Sequence, residues 1–257
     1  MSKKSIKTLI KLMIVGILVF GFYQSQNLTP VEERRATAAI DNFQSLNSFQ
    51  VNFEGYIEET DTRVYEAKMN SYFNRTDSGL KSKGEFSLKI PNENSSEKIE
   101  GELITTEESF FILPDPESIS VIEELGYSDF TERELNSWMK YDLDNPTEDI
   151  KIYPDSTITI SEDEKINDTE VYHYRTELSG FNFLEEDFEV DLFTGKEDLN
   201  IYRISTKQEI NFSKDVDFFH SAMNFSTGSS PTLDFQIEFS GFNEEKEIQL
   251  PEEYMDI

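Results

Sequence analysis

The sequence predicts a mainly β (α+β) fold, a meander of antiparallel strands preceded by one amphipathic helix. Three observations predict it. From Phe49 onward apolar residues recur at every second position, the period of a strand with one buried face. Short polar turns, rather than helical segments, separate most of these runs, which favours hairpins over parallel crossovers. The chain has no cysteine but 21 phenylalanines, so a packed core, not disulfides, must hold it.

The elements follow in order. Leu12–Tyr23, LMIVGILVFGFY, is twelve uncharged residues preceded by Lys3, Lys4, Lys7 and Lys11. A full span needs about 20 residues, so the run suits a signal peptide core, or a short signal anchor in which Lys11 snorkels to the headgroups. No A-x-A cleavage site follows. We therefore expect residues 1–27 to be an uncleaved anchor carried by Leu12, Ile14, Val15, Ile17, Leu18, Val19 and Phe20, with cleavage and secretion as the alternative. The leading lysines place the N-terminus in the cytoplasm and residues 28–257 outside, as a single-pass protein of the cell membrane. These residues are read as one domain.

Thr29-Pro30 reads as helix cap and first helical residue, and Val31, Ala39, Ile40, Phe43 and Leu46 mark one face of a helix over Pro30–Leu46. Strands are then expected at Phe49–Phe53, Arg63–Phe73, Leu80–Ile90, Lys98–Thr105 and Ser109–Leu113. Pro114 and Pro116 interrupt the meander. Glu117–Leu125 is expected to be a helix, with Ile119, Ile122 and Leu125 on one face, and Thr131–Asn136 has the look of a capping box. Trp138–Leu143 is a short strand, and Asn145–Pro154 a loop. Further strands are expected at Thr157–Ser161, Phe188–Phe193, Leu199–Phe212, Val216–Ser226, Thr232–Ser240 and Glu247–Leu250, with a tight turn from Ile166 into a strand running to Leu178 and a helix or loop at Phe181–Glu186.

The order of these pieces resembles the LolA-like superfamily, and its LppX/LprG-type lipoprotein branch in particular. The pieces are the helix end and first strand AIDNFQSLNSFQVNFEG (Ala39–Gly55), NSWMKYDL (Asn136–Leu143), KINDTEVYHYRTEL (Lys165–Leu178), EVDLFTGKEDLNIYRIS (Glu189–Ser205) and DFQIEFSGFNEEKEIQLPEE (Asp234–Glu253). The resemblance implies a curved antiparallel sheet, a half-barrel whose concave face is covered by one or two helices, and an apolar groove for lipid. It also marks a departure: that branch is anchored through a lipidated cysteine, and this chain has none. On this reading Ile119, Ile122, Leu125, Phe130 and Trp138 line the groove or its lid.

Charge narrows the partners. The four leading lysines are among 23 basic residues, so 19 remain against all 52 acidic ones and the exported part carries −33. Such a surface repels nucleic acid, and none is expected as a partner. The expected partners are the membrane, a lipid or another hydrophobic ligand, and an envelope protein. No GxSxG, HExxH, P-loop or GxGxxG occurs. His173 and His220 read as ordinary strand histidines, and the acidic runs Asp142–Asn145 and Glu162–Glu164 as solvated turns without calcium-loop spacing. No cofactor, no metal and no enzymatic activity are expected. The reading is a membrane-tethered extracytoplasmic binding protein, with an envelope structural or sensory module as the alternative and a hydrolase as a remote one.

Overall fold

The computed structural model describes residues 31–60, 63–76, 79–91, 96–106, 109–124, 137–142, 151–179, 188–209, 231–244, 246–249 and 251. The anchor residues 12–20 and the segments expected at 131–136, 181–186 and 216–226 lie outside these. Among the described residues, no helix is long and apolar enough to cross a membrane.

Helix α1, Val31–Ser45, precedes six strands: β1 Ser48–Thr60, β2 Arg63–Thr76, β3 Gly79–Pro91, β4 Ser96–Thr105, β5 Ser109–Pro114 and β6 Met139–Asp142. A second helix, α2 Pro116–Glu124, separates β5 from β6. Five more strands follow: β7 Lys151–Ile166, β8 Thr169–Ser179, β9 Phe188–Gly195, β10 Ile201–Glu209 and β11 Thr232–Ser240. They form one antiparallel sheet in the order β6-β5-β4-β3-β2-β1-β11-β10-β9-β8-β7. The chain thus builds two meanders that meet at a seam between the first strand and the last, with Val51 opposite Phe239 and Phe53 opposite Ile237.

This order forces the sheet to curl. Ten gaps of about 4.8 Å would set β6 and β7 about 48 Å apart in a flat sheet. The nine residue steps from Asp142 to Lys151 reach only about 30 Å. Helix α1 shows the same curvature, since it packs on Phe239 of β11 while also touching β7, four strands away. The mainly β, curved and unclosed sheet with helices on its inner face is the predicted architecture.

Alternation decides which residues line the inside. On β1, Phe49, Val51, Phe53 and Ile57 are buried while Asn52 and Glu58 are exposed. Cross-strand pairing carries that face through Phe73 and Met69 on β2, Phe86 and Leu88 on β3 and Leu103 on β4. Phe43 of α1 lies 4.7 Å from the Phe49 ring and 5.0 Å from that of Phe239, and Phe49 stacks on Phe73 at 5.1 Å. The buried face of α1 is Ala36, Ala39, Ile40 and Phe43, at helical spacing.

Three expectations are corrected. Glu247–Leu250 is not a strand at its described positions: β1 is already paired on both sides, so the tail finds no free edge beside β11. It turns away through Gly241 and Asn243, both left-handed, and Asn74 donates a hydrogen bond to the Lys246 carbonyl. Asn145–Pro154 is not wholly loop, because β7 begins at Lys151 and includes Pro154. Its register breaks between Tyr153 and Ile158, which hides its period, and proline is tolerated there because β7 is an edge strand. The strand expected at Leu199–Phe212 starts at Ile201, since Leu199 takes a left-handed conformation in the turn before it. The tight turn at Asn167-Asp168 is as expected, with φ of 48° and 66°, the geometry of a two-residue hairpin.

Candidate functional site

The concave face is apolar along most of its length, and the two helices approach it differently. Helix α1 crosses the C-terminal meander. Its end is pinned by Arg75, whose backbone N–H donates to the Asn47 carbonyl at 2.7 Å and whose Nε donates to that of Leu46 at 3.2 Å. On the other flank Asn42 Nδ2 donates to the Asp198 carbonyl at 3.2 Å and to Asn200 Oδ1 at 2.9 Å. Asp198 in turn accepts from the Asn200 backbone N–H and from the Tyr202 hydroxyl. Burial, and then that bond to Asp198, raise the Tyr202 pKa. Arg35 sits over the Tyr172 ring at 4.5 Å, so both ends of α1 are fastened.

Helix α2 is built from the end of a ladder. Strand β5 stops at Pro114, and Pro116 has no N–H, so Asp115 makes the last ladder bond, its N–H donating to the Glu100 carbonyl at 2.9 Å. The next open donor on β4, the Glu100 N–H, is taken by the Ser118 Oγ at 2.7 Å. Asp115 and Pro116 occupy the cap and first helical positions, with Glu117 in the first turn. This docking turns Ile122 into the core, where it is 3% exposed, and leaves Ile119 half-buried against the same cluster.

Of the other residues assigned to the groove, Leu125 and Phe130 lie outside the described residues. Trp138 is half-buried and precedes β6, while its neighbour Met139 packs on the core cluster. The structure therefore brings Ile119, Ile122 and Met139 to one apolar cluster.

Sequence reading missed the place where this face reaches the surface. Strand β11 is central, yet its first half is half-exposed on both sides, whereas Ile237 and Phe239 further along are buried. The inward residues there are Leu233, opposite Ile57, and Phe235, opposite Gly55, which carries no side chain. Alternation marked Leu233 and Phe235 as inward, but no local signal said that they would be only half-buried there.

The convex face is a lattice of cross-strand ion pairs. Lys68 reaches Glu54 at 2.6 Å and Glu66 at 2.7 Å; its hydrogen bond, and then that of Tyr56, hold Glu54 below the usual carboxylate range. His173 lies between Glu164 (Nδ1, 2.8 Å) and Asp191 (Nε2, 3.1 Å) and stacks on Phe193 at 4.2 Å. Arg175 shares the same Asp191 at 2.9 Å. Each member has a charged or aromatic neighbour, and no cluster of described residues has the make-up of a metal site.

No known family profile matches the chain, and no curated protein sequence matches it. Among solved structures it is similar to LprF from Mycobacterium bovis, at a TM-score of 0.48 and 9% identity over 88% of this chain and 99% of that one. It is also similar to a DUF1329 family protein from Desulfovibrio piger, at 0.29 and 11% over 87% and 95%. A LolA superfamily protein from Nitrosomonas europaea matches at 0.26 and 13% over 88% and 97%. At these TM-scores the architecture rests on strand order and register rather than on superposition.

Proposed function

We propose that the chain is an extracytoplasmic binding protein, tethered by its N-terminus, whose concave sheet face takes a lipid or another hydrophobic ligand. The observation that carries this reading is the half-exposed inner face of a central strand at Leu233 and Phe235. A central strand is ordinarily the most buried part of a sheet, and half-buried apolar residues on its inner face suit an apolar guest.

Dimensions support it. Eleven strands about 4.8 Å apart, each contributing about eight residues at 3.3 Å, give an inner face on the order of 1,400 Å². Among the described residues, the helices, of 15 and 9 residues, about 10 Å wide and rising 1.5 Å per residue, account for about a quarter of that.

Native mass spectrometry of the purified full chain tests the reading. Co-purified lipid, lost on Phe235→Asp while the fold is retained, is the expected result. A chain that carries no lipid and takes up no fatty acid would refute it and favour recognition of another envelope protein. The tether has its own test: protease added to cells with opened walls should digest residues 28–257, and complete protection would exclude it.

A further inference from the structure

Within the phenylalanine-rich inner face one patch is not apolar. Ser71 of β2 faces inward by alternation with Met69 and Phe73, and is 1% exposed. Its partner across the ladder is Gly84 of β3. Two residues back on the same face of β3 is Ser82, opposite Thr105 of β4. Three hydroxyls and a glycine on three adjacent strands thus replace the large side chains found around them, Phe73, Phe86 and Phe110.

The hydroxyls are not equivalent. Ser82 and Thr105 satisfy each other at 2.6 Å. The Ser71 Oγ is buried without a hydrogen-bond partner among the described residues. Gly84 is fitted to it, because a Cβ at that position would collide with the Ser71 Oγ and the Asn70 carbonyl. Alanine at position 71 would fill nearly the same volume without burying an unpaired hydroxyl, which carries a free-energy cost. Gly84 thus leaves the space that the Ser71 hydroxyl fills, and the hydroxyl is left without a partner among the described residues.

We propose that the ligand of the concave face is an acyl chain bearing a hydrogen-bonding oxygen, a hydroxylated fatty acyl group, and that Ser71 is the residue that selects it. This deepens the lipid-binding reading and rests on it. The serine hydroxyl donates to or accepts from the chain oxygen.

The test is competitive. The full chain in nanodiscs is incubated with equal amounts of stearic, 3-hydroxystearic and 12-hydroxystearic acids, and bound adducts are resolved by native mass spectrometry. At least one hydroxy acid should be enriched over stearic acid by about threefold to tenfold, the range a neutral hydrogen bond supplies. Ser71→Ala should return that ratio to one while still binding stearic acid. Thr194→Val, which removes another buried hydroxyl without a partner, on β9, should leave the ratio unchanged. Equal binding of all three acids, or enrichment that survives Ser71→Ala, overturns the proposal and leaves lipid binding intact. Binding of none overturns both.

Discussion

Helix α2 gives the sharpest single test of how the inner face is covered. Ile122 is 3% exposed within the core cluster, and Ile119, on the same helix, is half-buried. Replacing Ile122 by Ala removes three buried carbons, about 2.4 kcal/mol at about 0.8 kcal/mol each. A cavity term adds to this, and because α2 is a single short helix that can settle, a total of about 3 kcal/mol is expected. For a domain of this size 1 kcal/mol lowers Tm by about 2–4 °C, so Ile122→Ala should melt about 6–12 °C below the parent by circular dichroism. Ile119→Ala removes partly wet surface and should cost about 1 kcal/mol, or about 2–4 °C. An Ile122→Ala melt within about 2 °C of the parent, or an Ile119→Ala loss equal to or greater than it, would refute the orientation in which Ser118 docks this helix.

Other expectations are simpler. Gly84→Ala should destabilise by more than about 2 kcal/mol, since its Cβ meets the backbone carbonyl of Asn70, and a melt unchanged by it would contradict the close packing of β2 on β3. Asn42→Ala removes both hydrogen bonds between α1 and the β9–β10 turn, worth about 1–2 kcal/mol together, and hydrogen exchange should rise in α1 before it rises in β1. The pKa of Glu54 is lowered in the folded state, so its pairing with Lys68 stabilises above the unfolded value of about 4.3 and is lost as pH falls through the folded value. Both groups are over a third exposed, so the contribution is at most about 1 kcal/mol, and Lys68→Met should remove it at neutral pH but not in acid. Equal destabilisation by Lys68→Met at both pH values would count against the pair.

The parts of this fold that were legible in the sequence are those in which one face of a local element is buried. Phe49, Val51 and Phe53 alternate with polar residues because one side of β1 is inside and the other carries ion pairs with β2. The two helices announced themselves through prolines and spacing. Sheet order was not legible, because the seam joins residues about 190 positions apart and each of its strands reads like any other. Strand β7 was half missed since its bulges and Pro154 spoil the period. The fastening of α1 by Asn42 depends on a turn 156 residues away, and an asparagine on a helix has no mark of such a partner. Ser71 looked like one small polar residue in a strand until Gly84 and the hydroxyl pair were seen beside it.

The seam also has a consequence in time. A chain that emerges from its N-terminus delivers β1 first and β11 last, with the rest of the sheet between. Strands β2 to β6 can zip onto one edge of β1 as they appear, each beside its predecessor. The other edge of β1, with its row of unpaired backbone groups beside Phe49, Val51 and Phe53, must wait until β11 has been released. Such a half-finished edge invites pairing with a neighbouring chain. The interval between the arrival of the first strand and the last is therefore when this protein is most exposed to misassembly, and whatever shields β1 acts in that interval.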